Sequence, residues 1–69
     1  MKKQIIKNLI KHAQGQIAKH KTNVEVYLQS SVGIGEHSDV MASIEQELNH
    51  IAQYHEQIDV LKKYFKKGA

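Results

Sequence analysis

Ile6, Ile10, Ala13, Ile17, His20, Val24 and Tyr27 recur at alternating steps of four and three residues. A spacing near 3.5 lines these positions along one face of a helix. Beyond a glycine-marked break, Met41, Ile44, Leu48, Ile51, His55 and Ile58 repeat the pattern. Two stripes with one break predict an all-α fold, an antiparallel helical hairpin forming a single domain over residues 1–69. The first helix is expected at about 3–30, the loop at about 31–37 and the second helix at about 38–66.

Local signals support these bounds. Gly33 suits the positive-φ position after a helix C-terminus. Ser38 is a good N-cap, with Asp39 placed favourably in the first turn, and Gly68 marks the far end. Gly15 is the one breaker inside the first helix and costs about 1 kcal/mol relative to alanine. It reads either as a tolerated surface glycine or as a point of close helix approach. The segment from Thr22 to Tyr27 is β-branched, yet the stripe continues through it in phase and no partner strand is available. Helix is therefore expected there.

The apolar positions are wider than one seam. Ile5, Leu9 and Leu28 flank the first stripe, and Val40, Val60, Leu61, Tyr64 and Phe65 flank the second. A lone hairpin would leave these flanks in water. Pairing of two hairpins into a four-helix bundle would enclose them, so a homodimer is expected. Size points the same way. A chain of 69 residues buries only about 60% of the surface its unfolded form exposes. Small domains then need a disulfide, a metal or oligomerisation. There is no cysteine, which excludes disulfides and thiolate zinc sites and fits a reducing compartment. No apolar run approaches the roughly 20 residues of a membrane span. Lys7, Asn8 and Lys11 interrupt any signal-peptide core, so a cytoplasmic location is expected.

Charge is sorted along the chain. Residues 1–31 hold six lysines and one acid, Glu25, whereas residues 36–61 hold six acids and no lysine, and residues 62–67 hold four lysines. A basic helix therefore faces an acidic one. Closing the hairpin gathers Lys2, Lys3, Lys7, Lys62, Lys63, Lys66 and Lys67 at one pole. Such a tip is a candidate site for phosphate or another polyanion. The plainer reading is a solvated end, since lysines also complement the C-terminal dipole of a helix. The chain has no arginine, which disfavours base-specific DNA recognition and leaves nucleic acid an unfavoured partner.

Chemistry-bearing residues are few. Glu47 and His50 form an ExxH motif of the kind that, with a glutamate from another helix, ligates di-metal sites in four-helix bundles. Glu25 would be that glutamate. Both motif residues are expected beside the stripe marked by Leu48 and Ile51, so no metal or cofactor is predicted. His20 and His55 interrupt the stripes. They read as core-edge histidines satisfied by hydrogen bonds, with a pH-sensitive interface as the alternative. No nucleophile–base arrangement is visible. The Gly33-x-Gly35 pair lacks the preceding strand and third glycine of a dinucleotide loop. Val32, Ile34 and His37 make the loop a candidate contact patch, although Val32 and Ile34 could instead fold over the helix ends.

The run Val-Gly-Ile-Gly-Glu-His at 32–37, followed by Asp39 and a Glu-rich helix ending in Leu61 and Phe65, resembles a group of small uncharacterised proteins encoded by marine tailed phages. That group carries Asn-Pro before the valine and Pro between the histidine and the aspartate, where this chain has Ser30-Ser31 and Ser38. The resemblance covers most of the chain, with six distinctive residues. It implies a viral or marine-metagenome source, hence a host cytoplasm, and no activity. The sequence as a whole predicts a non-enzymatic, self-associating interaction protein with an unidentified protein partner, such as a phage accessory or host-directed factor. A non-specific anionic-surface binder is the alternative, and a di-metal protein a more distant one.

Overall fold

The computed structural model describes residues 1–30 and 37–65. Among these every residue from Lys2 onward is helical. Helix α1 spans Lys2–Ser30 and helix α2 spans His37–Val60, and a π-helical turn, Leu61–Phe65, follows directly. The two helices pack antiparallel into a rod of 53 × 15 × 11 Å. Residues 22–28 are helical, as the in-phase stripe predicts.

The seam follows from the 4-3 spacing. In α1 the seven stripe positions are all buried or half-buried, from Ile6 to Tyr27. In α2 the enclosed series is Val40, Ile44, Glu47, Ile51, Tyr54, Ile58 and Leu61, which keeps the same steps. The second stripe read from apolarity alone is therefore corrected at every other position. Met41 is 68% exposed, Leu48 is 51% exposed and His55 is exposed, while their neighbours Val40, Glu47 and Tyr54 turn inward. The cause lies across the seam. Ile6, Ile10, Ala13 and Ile58 form the buried cluster, with Ile17, Tyr54 and Leu61 packed against it. Ala13, only 1% exposed, lies in the cluster against which Tyr54 packs, so a small residue accommodates a large one.

Two further expectations change. The second helix does not run unbroken as an α-helix to residue 66, because the turn widens at Leu61–Phe65. Within that turn Leu61 packs against the core, and Tyr64 and Phe65 are exposed. His37 is the first residue of α2 rather than part of the loop, and the helix has already begun before Ser38. Helix ends commonly differ by a residue or two from sequence signals. A Cβ placed on Gly15 would meet nothing within 4 Å, which agrees with the tolerated surface glycine of the two sequence readings.

Charge follows the helices. α1 carries six lysines and one glutamate, and α2 carries five acids and no lysine.

Candidate functional site

One layer of the seam is polar. Ala13 and Ile17 precede it in α1, and Ile51 and Tyr54 follow it in α2. Between them the 4-3 repeat sets His20 opposite Glu47. His20 Nδ1 lies 2.6 Å from Glu47 Oε1, with the two side chains 11% and 16% exposed. A carboxylate can only accept, so the proton of this bond sits on Nδ1 of the imidazole. Asn23 Nδ2 donates to the same oxygen at 3.0 Å. These two hydrogen bonds, His20 first and Asn23 second, hold the Glu47 carboxyl below its ordinary value of 4.5. Partial desolvation opposes them, and positive charge on His20 or His50 adds to the lowering.

Aromatic contacts close the layer. The His50 ring stacks on His20 at a centroid distance of 4.4 Å and an angle of 16°. Tyr54 lies nearly parallel to His20 at 6.4 Å and meets His12 in a T-shaped contact at 6.1 Å. No buried polar side-chain atom among the described residues lacks a hydrogen-bond partner. His20 thus behaves as the hydrogen-bonded core histidine its stripe position predicts. His55 does not, since it is exposed and its Nδ1 lies 3.7 Å from Asp59 one turn on.

The arrangement fixes the tautomer and plane of one imidazole, a task carboxylates also perform for catalytic histidines. Here the ring is stacked on His50 and 9% exposed. Its constraint falls on the two helices. The Glu47 placement corrects the sequence reading, which set Glu47 and His50 beside the core. Glu47 occupies the seam itself, and His50 touches the seam through His20. Asn23 carried no sequence signal of its own. The signal for Glu47 was its partner, because a histidine inside an apolar stripe calls for an acceptor at the same distance from the turn. Among the described residues no group of three or more His, Asp or Glu side chains is gathered as a metal site.

The predicted lysine tip is partly visible. Lys2, Lys3 and Lys7 lie at the start of α1 and Lys62 and Lys63 in the π-helical turn, all exposed. The turn packs on α1, with Leu61 against the cluster containing Ile6, so these five lysines share one end of the rod. Lys63 Nζ lies 5.3 Å from the Tyr64 ring centroid. Lys66 and Lys67 lie outside the described residues, as do Val32 and Ile34 of the candidate contact loop. No described helix is long and apolar enough to cross a membrane.

Comparison with family models, curated proteins and solved structures finds no match to this chain.

Proposed function

We propose that this protein acts without catalysis, as an interaction module whose working form is a homodimer of hairpins arranged as a four-helix bundle. One observation carries the reading. Only four apolar side chains are buried among the described residues, whereas Ile5, Leu9, Val26, Leu28, Met41 and Leu48 are each about half exposed or more. A core of that size is small for a monomer of 69 residues. A second hairpin would cover part of this exposed apolar surface. Within such a role the resemblance to phage-encoded proteins supports an accessory or host-directed task in a host cytoplasm, exercised through a protein partner. Sedimentation equilibrium from low to high micromolar concentration, with helicity followed by circular dichroism, tests the association. The expected result is a dimer whose dissociation lowers helicity. A monomer that stays fully helical throughout refutes it.

The five exposed lysines at one end favour a second reading, weak binding of polyanions without sequence preference. Each phosphate contact releases counterion, so with three or four contacts binding should weaken by roughly two orders of magnitude between about 50 and 200 mM salt. Retention on heparin at low salt, lost on changing Lys2, Lys3, Lys62 and Lys63 to glutamine, is expected on this reading. No retention by the wild type refutes it.

A further inference from the structure

The two sides of the seam are unlike. Take the residue just before each seam position in both helices. Leu9 and His12 of α1 and Gln57 and Val60 of α2 line one groove together with Glu56 and Leu61, so these preceding positions share one side of the rod, with Glu56 at its margin. Fourteen residues belong to this set, and only Lys19 and Asp39 are charged, with opposite signs. The residues just after each seam position form the other side. Seven of those fourteen are charged, among them Lys7, Lys11, Lys21, Glu25, Glu45 and Asp59.

Burial divides the same way. Outside the seam itself, the half-buried described residues are Gln16, Asn23, Ser43 and Val60, all on the sparsely charged side. No residue of the charged side is half-buried. Large apolar residues stand on both sides, with Ile5, Leu9 and Val26 on one and Leu28, Met41 and Leu48 on the other. Apolarity therefore does not choose between them. Desolvation does, because covering seven charges costs more than covering Lys19, Asp39 and the marginal Glu56. Interface centres are depleted in charge for this reason.

We propose that the sparsely charged side is the face on which a second copy of this chain docks, a proposal that rests on the dimeric reading above. A two-fold axis sets a patch against itself. A face whose charges are Lys19, Asp39 and, at its margin, Glu56 meets its own copy with little like-charge opposition, and its glutamines, serine and histidines can exchange hydrogen bonds there. The face runs along the 53 Å length of the rod.

Paired substitutions test the face. Gln46→Lys with Gln53→Lys adds exposed charge to the proposed interface, and Gln14→Lys with Ala52→Lys adds it to the other side. Lysine is a good helix former, so circular dichroism should show both hairpins intact. The first pair should raise the dimer dissociation constant on the order of tenfold or more by placing like charges together. The second pair should leave it unchanged. Single cysteines supply an independent readout in a chain that has none. A thiol at Gln53→Cys should be protected from maleimide as concentration rises, and one at Ala52→Cys should not. Equal effects of the two pairs, or dissociation and protection confined to the second side, overturn the assignment of the face while leaving a dimer in place. A wild-type monomer overturns the dimer as well.

Discussion

Replacing Ile58 by alanine, and separately Leu48 by alanine, sets the two phases of the second stripe against each other. Ile58 is 8% exposed within the cluster of Ile6, Ile10 and Ala13. The change removes three carbons, at about 0.8 kcal/mol for each buried methylene, or about 2.4 kcal/mol. A cavity term adds to this in closed cores. In a two-helix seam the neighbours can settle into the space, so the loss should stay near the lower end of the ~2–5 kcal/mol range for isoleucine to alanine. For a domain of this size each kcal/mol shifts the melting temperature by roughly 4–8 °C, giving a fall of about 10–20 °C. Leu48 is 51% exposed. Its truncation forfeits about half as much burial, and alanine's better helix propensity returns a few tenths of a kcal/mol, so the net cost should be about 1 kcal/mol or less. Thermal melts followed by circular dichroism at one fixed protein concentration measure both. Equal losses for the two variants would refute the seam described here and restore the phase that apolarity alone suggests.

Gly15→Ala should stabilise the protein by about 0.5–1 kcal/mol, because the site is helical and open and alanine lowers the entropy of the unfolded chain. Unfolding in urea checks this, and a destabilised variant would mean that something packs on Gly15. Acid should weaken the fold through Glu47. Its folded pKa is depressed, so its stabilising contribution is complete above the ordinary value of 4.5 and disappears as pH falls through the lower folded value. Melts at about pH 6 and pH 3 should show a smaller drop in Glu47→Gln than in wild type, and equal drops would remove Glu47 from the acid response.

The first helix was legible in full because its seven stripe positions offer no rival phase. The second was ambiguous, since Ile44, Ile51 and Ile58 belong to two interleaved series. Met41 and Leu48 argue for one, and Val40, Tyr54 and Leu61 for the other. Apolarity within one helix cannot separate them. Pairing across the seam can, because one series offers His20 a carboxylate and lets Ala13 meet Tyr54. The polar layer was hidden for the same reason. Glu47 looks like a surface residue until its distance from the turn is matched to that of His20. The end of α2 was misread because a π-helical turn has no sequence rule of its own.

The polar layer has a consequence for which strangers these helices would accept. Nothing in the seam requires α1 and α2 to belong to one chain. Two copies of α1 would align six lysines with six more and set His20 against no acid. Two copies of α2 would oppose five acids to five and leave Glu47 without its two donors. Each helix therefore rejects itself and selects the other. Cut at the connection, the pair would behave as a complementary two-peptide tag, with recognition encoded by one histidine, one glutamate and the sign of everything around them.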